Sequence, residues 1–139
     1  MEKLERRIKE AENALATLRE VLREPYSVIV RDATIQRFEY TFEIFWKLVK
    51  EYLYAHEGID CNSPKSCFRE ALHVGILNEE QTITCLEMTD DRNLTSHTYV
   101  EEVADSIYAK IRGYCKLMAA IFNFILANHK ITQISTREQ

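Results

Sequence analysis

Glycine and proline are scarce in this sequence, three and two respectively in 139 residues. So few breakers exclude a collagen-like or turn-rich β architecture, and with abundant Glu, Leu, Ala, Lys and Arg they point to long helices joined by a few turns. No run of 18 apolar residues occurs, so no membrane-spanning helix is expected. The opening Met1-Glu2-Lys3-Leu4-Glu5-Arg6-Arg7 lacks the apolar core of a signal peptide, and the protein reads as cytoplasmic. A basic excess is also missing. The net charge of −4 argues against a surface that coats generic DNA, although a local phosphate site stays open. The four cysteines, Cys61, Cys67, Cys85 and Cys115, form no C-x-x-C pair and have no histidines at ligand spacing. Structural zinc is therefore not expected, and the cysteines read as reduced, small apolar residues. No metal site and no cofactor is expected.

What the chain does have is a globular balance, 46% apolar and 29% charged, in a length suited to one core. Leu4, Ile8, Ala11, Leu15, Leu18 and Leu22 step by fours and threes along one face of a first helix that stops near Pro25. Ile35, Phe38, Phe42, Phe45, Val49 and Tyr52 define a second helix, and Tyr40, Ile44, Trp46, Leu48 and Leu53 make it apolar on most sides, as a central helix should be. Its polar residues Glu39, Glu43, Lys47 and Lys50 read as a thin solvated strip. The stretch from Gly58 to Ser63 reads as a loop. Ser63-Pro64 opens a short third helix ending at Gly75, with Phe68, Ala71, Leu72 and Val74 facing the core. Asn78 caps a fourth, packed through Ile83, Leu86 and Met88 and running into Asp90-Asp91-Arg92. A last long helix carries Val100, Val103, Ile107, Ile111, Tyr114, Met118, Ile121 and Ile125. The reading is an all-α, up-and-down bundle of four to five helices over residues 1–128, with a polar, frayed tail at 129–139. Apolar residues on more than one face of the second and last helices also predict a homodimer.

The chemistry concentrates in Asp90-Asp91-Arg92-Asn93-Leu94-Thr95-Ser96-His97-Thr98-Tyr99-Val100-Glu101-Glu102. On one unbroken helix Arg92 and His97 would lie about 140° apart, so a break or a second subunit is needed to bring them together. Thr98-x-x-Glu101 has the form of a capping box, and Thr95, Ser96 and Thr98 compete for backbone hydrogen bonds. With Thr98 as the cap, Tyr99 becomes the first residue of the last helix and His97 sits beside its positive end. That end welcomes an anion and disfavours an imidazolium, leaving His97 as a proton acceptor. Arg92 adds a planar cation able to hold a phosphate by two hydrogen bonds. Asp91, Asn93, Ser96, Thr98 and Glu101 are the supporting and capping residues.

The R-x4-H-x-Y arrangement of Arg92, His97 and Tyr99 within "RNLTSHTY" resembles the motif of HEPN proteins. The order of "FEYTFEIFWKLVKEYL", "SPKSCFREALHVGIL" and "EEVADSIYAKI" is similar to the nucleotidyltransferase substrate-binding-protein-like branch related to the HepT toxins, over roughly residues 3 to 126. The resemblance implies a HEPN-type helical bundle, usually homodimeric, that pairs with an MNT-type nucleotidyltransferase. In HepT-like members it further implies metal-independent RNA cleavage, with Arg92 and His97 as the catalytic residues and Tyr99 as the acceptor of adenylyl groups from the partner. The branch name implies instead a non-catalytic subunit that helps the transferase bind its substrate, presenting a nucleotide or other substrate.

RNA cleavage by the 2′-OH needs a base, which suits His97, and a cation for the crowded phosphorane, which suits Arg92. A purely structural alternative has Arg92 paired with Asp90 or Asp91, His97 in the helix cap, and Tyr99 packed on a neighbouring helix. His56, His73 and His129 look isolated, and the Phe38, Phe42, Phe45 and Trp46 cluster reads as core rather than as a base-stacking shelf.

Overall fold

The computed structural model describes residues 2–138, with side chains as far as Lys130. Five α-helices follow one another: α1 (Glu2–Leu22), α2 (Val28–Glu57), α3 (Pro64–His73), α4 (Glu79–Leu94) and α5 (Glu101–Glu138). A 3-10 turn, Thr95–His97, lies between the last two. The fold is an all-α bundle. Ion pairs fix the directions: Lys3 at the start of α1 meets Glu51 near the end of α2, so the pair is antiparallel. Arg31 and Glu101 join the starts of α2 and α5, which makes those two parallel. Among the described residues no helix is long and apolar enough to cross a membrane.

Local chemistry sets most of the boundaries. Ser27 Oγ accepts the Val30 N–H at 3.0 Å, so α2 starts at Val28, before the apolar periodicity begins. It ends where Gly58 adopts φ +66°, a left-handed conformation with little penalty for glycine. Reciprocal capping boxes, Ser63 with Ser66 and Asn78 with Gln81, start α3 and α4.

The first stripe, Leu4 through Leu22, is buried throughout. The α2 aromatics Phe38, Phe42 and Phe45 are at most 1% exposed and form the middle of the core, as expected for a central helix. They are buried within a single protomer, whereas Val28, Ile29, Tyr40 and Tyr54 of the same helix stay exposed. Residues Ile107, Ile111, Met118 and Ile125 of α5 complete the core; each such side chain contributes about 1.5–3 kcal/mol on burial.

Three expectations need correction. The buried side of α4 is Thr82, Cys85, Met88 and Thr89, whereas Ile83 is 67% exposed. Thr82 and Thr89 donate to the carbonyls of Asn78 and Cys85, each at 2.8 Å, so their hydroxyls are satisfied on the helix and their methyls can face the core. Cys61 and Cys67 are joined as a disulfide, because the loop after Gly58 folds back on α3 and brings their Cα atoms to 5.4 Å. Only Cys85 and Cys115 are free, buried thiols, and burial pushes the Cys85 thiol up to about 12. At the C-terminal end α5 continues as helix to Glu138, and His129, assigned to the tail on sequence grounds, is 3% exposed. The side chains of that tail beyond Lys130 lie outside the described residues.

Candidate functional site

The motif occupies the junction between α4 and α5. The helical conformation of α4 tightens at Thr95 into the 3-10 turn, and Thr95, Thr98 and Leu94 all keep right-handed α dihedrals. Thr98 therefore does not cap α5. Its Oγ1 donates backwards to the Thr95 carbonyl at 3.3 Å, because a capping side chain needs an extended backbone that Thr98 lacks. The Val100 carbonyl accepts the first helical bonds, from the amides of Val103 and Ala104 at 3.1 Å, and α5 begins at Glu101. The expected capping box and the placement of Tyr99 in the helix are thus both overturned, and His97 lies farther from the helix start than the sequence implied.

Glu101, expected to complete that box, is held instead by Arg31. This guanidinium is 2% exposed and contacts Glu101 at 2.6 Å, Asp105 at 3.0 Å and Asp32 at 3.1 Å. Glu101 and Asp105 strengthen its protonated form, and Arg31 together with a hydrogen bond from Tyr26 holds the Asp105 carboxyl below the usual carboxylate range. The start of α5 is therefore fixed to the start of α2 by a residue that helical periodicity gave no reason to notice. Its signal was an arginine within an otherwise apolar first turn, Val28-Ile29-Val30-Arg31.

At the other edge of the junction, Asp91 is 5% exposed, accepts a hydrogen bond from Tyr114 and pairs with Lys110 at 3.0 Å. Burial and the carboxylate push the Tyr114 phenol far above its ordinary value. Asp91 thus pins the end of α4 to α5. Asp90 pairs with Lys65 of α3 at 2.7 Å. Neither acid takes Arg92, which points toward α2: its Nε lies 3.5 Å from Glu43, and Nη1 donates to Thr95 Oγ1 at 3.1 Å. Glu43, read from sequence as part of a solvated strip, is a neighbour of the site and also accepts from the Trp46 indole at 3.1 Å. Asn93 and Ser96 are exposed, joined by a 3.2 Å hydrogen bond from Ser96 Oγ to the Asn93 carbonyl.

The junction does bring His97 and Tyr99 together. His97 Nδ1 lies 3.2 Å from Tyr99 Oη, with the rings edge to face at 5.8 Å. Tyr99 is 79% exposed, so it is not packed on a neighbouring helix, and no hydrogen bond joins Arg92 to either residue. Elsewhere, His56 and His129 are not isolated: their rings meet with Nε2 of the first 3.0 Å from Nδ1 of the second. Among the described residues no three His, Cys, Asp or Glu side chains are grouped as metal ligands.

A family model described as nucleotidyltransferase substrate binding protein like matches residues 6–126. The chain belongs to that family. A Thermus thermophilus protein of known crystal structure is 46% identical, with a TM-score of 0.80 over 83% of this chain and 98% of its own. This nucleotidyltransferase substrate binding protein like chain also shares its fold with a Haemophilus influenzae protein described as a substrate binding domain of a nucleotidyltransferase. That match has a TM-score of 0.61 at 22% identity, over 89% of this chain and 97% of the other. A third relative, the probable ribonuclease HepT of Haemophilus influenzae, is 35% identical over 84 residues, 58% of this chain. The match spans 56% of that relative's length.

Proposed function

We propose that the chain is the helical partner of an MNT-type nucleotidyltransferase and that Tyr99 accepts an adenylyl group from it. The observation that carries this reading is an exposed phenol held 3.2 Å from an imidazole nitrogen. A protonated phenol attacks phosphorus poorly, and an imidazole at hydrogen-bond distance can take its proton. With ATP as donor, Tyr99 Oη bonds to the α-phosphorus, the α–β phosphoanhydride breaks, pyrophosphate leaves, and the phenolic proton passes to His97 Nδ1. The family membership supports a transferase as the partner.

A second reading is favoured by the similarity to the probable ribonuclease. In it His97 accepts the proton of an RNA 2′-OH, Arg92 steadies the charge on phosphorus, and adenylylation of Tyr99 blocks His97 by placing a phosphodiester beside it. Arg92 is occupied by Glu43 within one protomer, so this chemistry calls for a second copy to complete the site. Exposed Leu94, Tyr99 and Val100, with Val28 and Ile29 at the neighbouring start of α2, supply an apolar face for such a homodimer.

The test is mass spectrometry after incubation with an MNT-type nucleotidyltransferase, ATP and magnesium. One adenylyl group per chain on Tyr99 is expected, with labelling lost in Tyr99→Phe and slowed in His97→Ala. Equal labelling of Tyr99→Phe overturns the acceptor assignment. For the second reading, His97→Ala should lower EDTA-resistant RNA cleavage by about 10²–10⁴-fold. Cleavage undiminished in a variant lacking both Arg92 and His97 refutes it.

A further inference from the structure

A groove of about 470 Å³ runs between the last turn of α1 and the middle of α5. Four cations line it, Arg19 and Arg23 on one side and Arg112 and Lys116 on the other, and no acidic residue does. In a chain of net charge −4 this is an unusual concentration. Arg112 and Lys116 are spaced i, i+4 on α5, where like charges repel, and they face Arg19 on the last turn of α1 and Arg23 just beyond it across the groove. None of the four makes an ion pair within 4.0 Å among the described residues, so no carboxylate neutralises the groove. The negative end of α1 accounts for Arg19 and Arg23, and for Arg112, which reaches it from α5, but not for Lys116 in the interior of a long helix. Arg112 is also fixed in place, since its Nη2 donates to the Leu22 carbonyl at 2.8 Å.

Between these rows the floor is apolar and low, formed by Leu22, Ala119 and Ala120. Small side chains there leave room for a flat group, and the volume falls within the range of small-molecule sites, roughly 300–1,000 Å³. From this juxtaposition we infer that the α1–α5 groove binds a nucleoside polyphosphate, its phosphates between the arginine and lysine rows and its base on the alanine floor. Guanidinium groups suit phosphate oxygens by charge and by paired donors. The groove is separate from the motif: at 1.5 Å per residue, Arg112 and Lys116 lie roughly 16–22 Å along α5 from its start. The inference therefore does not depend on the acceptor role of Tyr99.

The experiment is isothermal titration of the purified full chain with ATP, AMP, adenosine and inorganic pyrophosphate, without magnesium, alongside amide chemical-shift mapping. ATP should bind more tightly than AMP or pyrophosphate, adenosine should not bind measurably, and shifts should centre on residues 19–23 and 112–123. Reversing the charge of two exposed cations, Arg23→Glu with Lys116→Glu, should weaken ATP by roughly tenfold or more. Arg23→Gln with Lys116→Gln should weaken it less, and Ala120→Trp should block the floor. Pyrophosphate binding as tightly as ATP overturns the role of the floor, and undiminished binding to the charge-reversed protein overturns the site. Shifts confined to residues 96–100 would place the ligand at the motif and refute the inference.

Discussion

Replacing Tyr114 by Phe removes one oxygen from the interior and changes little else. The ring is 3% exposed and stacks on Phe38 at a centroid distance of 5.7 Å, packing that Phe preserves because it keeps the ring. What is lost is a hydrogen bond from the hydroxyl to Asp91, itself 5% exposed. Lys110 remains at 3.0 Å, so the carboxylate keeps its countercharge but lacks one donor where water has little access. A hydrogen bond to a charged partner contributes about 1.5–3 kcal/mol, and we take that range as the cost of Tyr114→Phe. Unfolding entropy of roughly 2.1 cal/mol/K per residue gives about 290 cal/mol/K for a chain of this size, so Tm should fall by about 5–10 °C. Scanning calorimetry and urea denaturation measure both quantities, and a cycle with Asp91→Asn isolates the pairwise part. A Tm within about 1 °C of wild type would refute the reasoning, because it would mean that Asp91 replaces the lost donor at no cost.

Phe38→Ala, at a site with no exposure, should cost about 3–5 kcal/mol in the same denaturation assay; a loss under about 1 kcal/mol would show that the core collapses around the deletion. Burial and nearby His129 hold His56 below its ordinary value, so the unfolded chain binds the proton first as pH falls from about 6.5. Stability should therefore decline as pH falls through the lower folded value, and His56→Gln should flatten that decline in urea titrations between about pH 5 and 7.5; an unchanged slope contradicts it. Thiol counting on the denatured protein should give two free thiols before reduction and four after, and Cys61→Ser with Cys67→Ser should cost about 2 kcal/mol, the low end for so short a loop. Four thiols without reductant would show that the bridge does not form.

Periodicity located the first, second and last helices and the first stripe, because a repeat near 3.6 residues records which face must leave water, and that requirement is local in sequence. Capping was equally legible at Ser63 and Asn78, where the partners lie three residues apart. The same local rule failed at Thr98, whose partner Glu101 is taken by Arg31, 70 residues away in sequence. It failed again in α4, where self-satisfied threonines go inward while Ile83 faces outward, a choice set by which side of the helix meets α3 and α5. The sequence named Arg92, His97 and Tyr99. Only the tertiary structure divided them, joining His97 to Tyr99 and drawing Arg92 to Glu43 on α2. Residues two apart can meet through the local backbone, but an ion pair between α2 and α4 depends on how the helices dock, and no spacing in the chain records that.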